Sequence, residues 1–178
     1  MMKKTLIVVD MQNDFIDMAL GTKEAVAIVP KVKEKIQEYV QNGDEIIFTR
    51  DTHTENYLQT PEGKKLPVEH CIEGTDGWMI DNRLMEVLDG KCTFVNKPTF
   101  GSFDLAEIIA EDSENDDLNE IVLCGFVTDI CLLSNALLLR AKFPNTKITV
   151  MKDLCAGTTD ENHEAALKVM QNCQIEVA

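Results

Sequence analysis

Short, nearly continuous runs of Ile, Val, Leu and Phe alternate with longer amphipathic stretches along the chain, and this alternation restricts the fold more than any other feature. The strand-like runs are Thr5–Val9, Glu45–Thr49, Cys92–Asn96, Ile121–Gly125, Lys147–Met151 and Gln174–Val177. A strand wetted on one side alternates apolar with polar residues, whereas a run apolar at successive positions is covered on both faces. Between these runs, Val32, Ile36 and Val40 recur every fourth residue, with Pro30 expected at a first helical position and Gly43 as the stop. Asp81–Leu88, Phe103–Ala110, Thr128–Ala141 and Asp160–Asn172 are further helix candidates. Strands alternating with helices predict an α/β chain, doubly wound in three layers, with a six-stranded parallel sheet covered on both faces. A chain of 178 residues has room for one well-buried core, so residues 1–178 are expected to form a single domain.

Charge and cysteine usage exclude several functions. A net charge of −14 repels phosphate backbones and anionic lipid headgroups, so neither a nucleic acid nor a membrane partner is expected. Much of the excess lies in Glu111-Asp112-Ser113-Glu114-Asn115-Asp116-Asp117, which reads as a solvated loop. The six cysteines include no CxxC pair and read as reduced thiols, with Cys92, Cys124 and Cys173 expected in buried elements. Met1-Met2-Lys3-Lys4 leads directly into a strand, which is neither a secretory signal nor a membrane span, so a cytoplasmic protein is expected. Neither G-x-G-x-x-G nor G-x-x-x-x-G-K-[ST] occurs, which removes the usual sequence support for nucleotide binding.

In an open α/β sheet, ligands bind beyond the carboxyl ends of the strands, where strand order reverses. Asp10 ends the first run, Asp51 and His53 follow the second, Lys97 follows the third, and Cys131 lies just past the fourth. Each residue alone has a plainer reading: a loop cap for Asp10, an exposed strand end for Lys97, a small buried thiol for Cys131. Together they make a device in which a carboxylate accepts the thiol proton and an ammonium steadies the thiolate. Cys131 is expected near the start of a helix capped by Thr128 or Asp129, a location that lowers a thiol pKa. Asp51, His53, Glu62 and His70 form a second cluster whose donors suit a divalent metal ion, Zn, Mn or Fe, unless they are surface histidines with local caps. His163, the third histidine, reads as a solvated residue of the last helix.

The blocks Val9-Asp10-Met11-Gln12-Asn13-Asp14-Phe15, Thr49-Arg50-Asp51-Thr52-His53, His70-Cys71-Ile72-Glu73-Gly74-Thr75-Asp76-Gly77, Lys97-Pro98-Thr99-Phe100 and Gly125-Phe126-Val127-Thr128-Asp129-Ile130-Cys131 occur in this order. Five ordered blocks resemble the isochorismatase-like cysteine hydrolase superfamily, in its nicotinamidase-related branch. The resemblance implies a Rossmann-like sheet and an Asp10–Lys97–Cys131 catalytic triad. It further implies a cis Phe126–Val127 peptide and an oxyanion hole from the Val127 and Cys131 backbone N–H groups. It implies metal ligation by Asp51, His53 and His70, with Glu62 as a carboxylate ligand, and a pocket walled by Phe15, Leu66, Phe126 and Ile130. The implied activity is hydrolysis of a small-molecule amide through a cysteine thioester, foremost nicotinamide to nicotinic acid and ammonia, in a homodimer or larger assembly. One departure bears on substrate: Leu66 stands where relatives carry a ring-stacking aromatic, leaving Phe100, Phe103 or Trp78 to supply a ring. Another small amide or ureido compound of the N-carbamoyl acid type is the rival substrate. A redox or non-catalytic thiol protein on the same fold is the rival class.

Overall fold

A computed structural model describes residues 3–90, 92–112 and 118–178. Its six strands are β1 (Lys3–Val9), β2 (Glu45–Asp51), β3 (Thr93–Lys97), β4 (Leu118–Phe126), β5 (Lys147–Ala156) and β6 (Glu176–Val177). All pair in parallel, in the order β3-β2-β1-β4-β5-β6. The chain winds outward from β1 through β2 to β3, then returns to the other side of β1 for β4. The order therefore reverses between β1 and β4, and their carboxyl ends open a crevice there.

The runs of β1, β2 and β4 are covered on both faces, as their composition requires, whereas the edge strands β3 and β6 keep one side open, with Phe94 and Glu176 exposed. Leu6 and Val8 face one core with Ile46, Phe48 and Cys124, against Val29, Val32 and Ile36 of helix α2. Ile7 and Val9 face the other core with Ile47 and Leu123, against side chains of the helices on that side. Adjacent residues of one strand thus anchor opposite layers, which fixes the register, since a one-residue slip would exchange the two faces.

The helices are α1 (Asn13–Ile16), α2 (Lys23–Asn42), α3 (Pro61–Lys65), α4 (Asn82–Met85), α5 (Phe103–Asp112), α6 (Leu133–Lys142) and α7 (Asp160–Asn172). Helix α2 starts earlier than expected from Pro30. The Thr22 hydroxyl caps it by accepting from the Ala25 N–H at 3.0 Å, and Pro30 lies inside on the exposed side. Water can reach the carbonyl that the missing proline N–H leaves. Gly43 ends the helix in the left-handed region, as expected. Strand β5 continues past Met151 to Ala156, because an irregularity between Leu123 and Gly125 restores its pairing with β4. Helix α4 is shorter than Asp81–Leu88, with Asp81 as its cap.

Two cysteine expectations fail: Cys173 is exposed and Cys92 is only partly buried, since both sit at element ends. Cys124 is buried as expected. Of the acidic run, Glu111 and Asp112 close α5, while residues 113–117 lie outside the described residues, as do Met1 and Met2. Among the described residues, no helix is long and apolar enough to cross a membrane.

Candidate active site

The first group of side chains is assembled by three strand ends and one helical turn. Asp10 follows β1 and is fully buried with φ +48°, a left-handed conformation that few non-glycine residues hold without support. Support comes from Thr49 of β2, whose hydroxyl donates to Asp10 Oδ1 at 2.6 Å and accepts from the Asp10 N–H at 3.2 Å. Lys97, the last residue of β3, is 1% exposed. Its Nζ lies 2.6 Å from Asp10 Oδ2, 3.4 Å from Cys131 Sγ and 3.6 Å from Asp51 Oδ1. An ammonium in that setting stays protonated: burial opposes its charge, and the anions around it overcome burial.

Cys131 sits in a π-helical turn, Thr128–Leu132, which runs on into α6. Neither Thr128 nor Asp129 caps that turn; the cap position is Val127, and both side chains are engaged elsewhere. The thiol pKa is pushed up rather than down. Burial contributes most and the Asp10 charge adds to it, with Lys97 pulling the other way. Burial raises Asp10 as well, against the pull of Lys97. Lys97 thus faces the Asp51 carboxylate and two acids, Asp10 and Cys131, whose charged forms burial disfavours and which compete for one proton. The Phe126–Val127 peptide is cis.

The second group gathers at the end of β2. Asp51, His53, Glu62 and His70 each offer a donor atom, all within 4.8 Å of one another. The His53 Nε2 is 3.0 Å from Asp51 Oδ2, and the His70 Nε2 is 3.5 Å from the same oxygen. Glu62 Oε1 is 3.8 Å from both imidazoles. It projects from α3, whose start is fixed by Pro61 and by the Thr60 hydroxyl accepting from Gly63 N–H. The His70 Nδ1–H donates to the Val68 carbonyl at 2.8 Å, so loss of the Nε2 proton to an incoming cation would leave the Nε2 lone pair facing the cluster. Burial opposes the Asp51 charge, but hydrogen bonds from His53 and His70 and the charge of Lys97 hold its carboxyl well below the usual range. Burial and Asp51 push Glu62 up. Two carboxylates and two oriented imidazoles around one point fit a divalent cation.

Several residues that set this geometry were not singled out from sequence. The buried Gln12 donates to the carbonyls of Asp51 and Trp78 and accepts from the Asp51 N–H at 2.7 Å, locking the end of β2. The Asp14 carboxylate accepts from the Cys71 N–H at 2.7 Å, anchoring the segment after His70. Tyr57 packs on both imidazoles, with ring centroids 4.6 Å from His53 and 4.9 Å from His70. Asn135, fully buried, accepts from Ser102 N–H and donates to the Cys131 carbonyl. A lone hydroxyl in the apolar run of β2 and a lone amide in a Leu-rich helix are signals for Thr49 and Asn135, because buried polar groups need partners. His163 is half-buried rather than solvated, and its Nδ1 lies 2.9 Å from Thr128 Oγ1.

Both groups open into one cleft of about 680 Å³, which is lined in part by Phe15, Leu66, Phe126, Val127, Ile130 and Cys131. Phe100 also lines it, whereas Phe103 is 76% exposed and not part of the lining. Trp78 is turned away, donating to Thr52 Oγ1 beneath the Arg50 guanidinium.

The site is a buried acid–ammonium–thiol cluster beside a carboxylate–imidazole cluster, at the switch point of a parallel α/β sheet. Residues 4–178 match the isochorismatase domain, and the chain belongs to the isochorismatase family. Its likeness is to the nicotinamidase-related members. The pyrazinamidase/nicotinamidase of Streptococcus mutans superposes with a TM-score of 0.85 at 30% identity, covering 99% of this chain and 100% of that one. The pyrazinamidase of Pyrococcus horikoshii in complex with zinc gives 0.83 at 27% identity, covering 99% and 98%. The nicotinamidase of Schizosaccharomyces pombe is 25% identical over 205 residues, spanning 97% of this chain and 91% of its own.

Proposed function

We propose that the chain is a cysteine amidohydrolase of small carboxamides, with nicotinamide as the first substrate to test and nicotinic acid and ammonia as products. The observation that carries this reading is the Lys97 ammonium between Asp10 Oδ2 at 2.6 Å and Cys131 Sγ at 3.4 Å, facing a largely apolar cleft.

Asp10 takes the thiol proton as sulfur attacks the carboxamide carbon, and the carbonyl electron pair moves onto oxygen. The backbone N–H groups of Val127 and Cys131 receive that oxyanion, which develops only in the transition state. Collapse breaks the C–N bond, and Asp10 returns its proton to nitrogen, releasing ammonia and leaving a thioester. Water then attacks the thioester carbon, giving a proton to Asp10. The C–S bond breaks, the acid departs, and Asp10 reprotonates the thiolate. Lys97 stays charged throughout, so each transfer between Asp10 and Cys131 leaves the net charge around it unchanged. A divalent ion held by Asp51, His53, Glu62 and His70 would supply a Lewis-acid site for a ring nitrogen or a water molecule.

Phe15, Phe100 and Phe126 are the phenyl walls available to a planar ring, and Leu66 is an aliphatic one. An aliphatic wall tolerates non-planar substrates, which keeps an N-carbamoyl acid as the second candidate. Ammonia release from nicotinamide, pyrazinamide and a panel of small amides and N-carbamoyl acids tests the reading. Cys131→Ala is expected to fold normally and lose turnover by several powers of ten. Appreciable hydrolysis by that variant would refute nucleophilic catalysis.

A further inference from the structure

The π-helical turn that carries Cys131 is fastened to the far side of the cleft by side chains with no part in the scheme above. The end of β5 and the loop after it enter the cleft wall as Ala156, Gly157 and Thr158. Asp129, two residues before the thiol, accepts from the Thr158 N–H at 2.8 Å and from its hydroxyl at 2.6 Å. Thr128, fully buried beside the cis peptide, meets His163 Nδ1 at 2.9 Å. His163 lies in the first turns of α7, a helix capped by the Thr159 hydroxyl. Gly157 packs so closely that a Cβ there would sit 2.8 Å from His163 Cβ and 2.9 Å from Asp129 Oδ1. Turn, loop and helix therefore meet without slack, and the Thr128–His163 contact ties the nucleophile's turn to α7.

From this contact we infer that His163 is a positioning residue: through Thr128 it holds the Cys131 turn, and with it the adjacent backbone N–H groups, in register with the cleft. The inference rests on the amidase reading for its kinetic consequence, but not for its structural one. A turn released by even about 1 Å loses alignment with a transition state at a cost of up to about 100-fold, while ground-state binding to the apolar walls is largely kept.

The test compares His163→Leu, His163→Asn and Thr128→Val with the unaltered protein. Asparagine can place an amide nitrogen or oxygen near the Nδ1 position, whereas leucine fills the space without a polar atom. With the best amide of the panel, His163→Leu is expected to lower kcat about 10- to 100-fold with KM within about threefold, and His163→Asn to recover most of kcat. The double variant His163→Leu/Thr128→Val should be no worse than the poorer single variant, because both remove one contact. A second readout needs no turnover: the iodoacetamide alkylation rate of the Cys131-containing peptide, followed by mass spectrometry. That rate is expected to change in His163→Leu and Thr128→Val and to return in His163→Asn. If no amide is turned over, the alkylation series alone decides the inference, and the amidase reading fails separately. Unchanged alkylation and kcat in His163→Leu, or asparagine no better than leucine, would overturn it.

Discussion

At the scale of single residues, the site depends on where one proton rests. Asp10 must be ionised to accept it, and burial raises its pKa, so the acid limb of kcat/KM is expected above the ordinary carboxylate range of about 4. The Thr49 hydroxyl bond to Asp10 Oδ1 favours the ionised form and works against burial. Removing it in Thr49→Val raises the Asp10 pKa further, so the acid limb should move to higher pH. A pH–rate profile showing a shift downward, or none, would contradict that sign. Asp10 and Lys97 were legible in sequence because each closes an apolar run, and Cys131 because it lies just past one. Their polar supports were not. Gln12 and Thr49 act through contacts across 39 positions of chain, which no local pattern records. The direction of the thiol shift differs from the expectation for a related reason: helix-end position is visible in sequence, but burial beside Asp10 is not, and here the two outweigh the pull of Lys97.

At the scale of elements, β1 and β4 meet at their carboxyl ends beside Gly125, where no side chain fits. Gly125 has φ +111°, and a Cβ there would lie 2.2 Å from the Val9 carbonyl oxygen. Gly125→Ala combines a disfavoured backbone with a clash against a neighbouring strand, and is expected to destabilise by about 2–4 kcal/mol, read by urea unfolding. Leu6→Ala, on a side chain with no exposed surface, should cost about 2–5 kcal/mol in the same assay. The strands were readable from their apolar runs and the parallel sheet from their alternation with helices, whereas strand order is set by pairing that no single run records. Element boundaries were less so. Pro30 suggested a helix start, but the Thr22 cap sets it seven residues earlier, at Lys23, and the extension of β5 depends on a bulge that only pairing with β4 creates.

At the scale of the whole molecule, a net charge of −14 repels itself, so raising sodium chloride from about 0.02 to about 0.5 M should raise Tm by screening. A flat or falling Tm would mean that local ion pairs dominate the balance. Asp51 has a consequence at the same scale. Its Oδ2 faces the two imidazoles while its Oδ1 faces the Lys97 ammonium, so one side chain serves two neighbourhoods that are otherwise separate. A shared carboxylate couples the two, and thermodynamic reciprocity makes the coupling equal in both directions: the factor by which an occupant of one neighbourhood changes affinity in the other is returned in full. Capping the sulfur with a small alkyl group should therefore change how tightly zinc or manganese is retained in competition with a chelator, although no reagent touches the imidazoles.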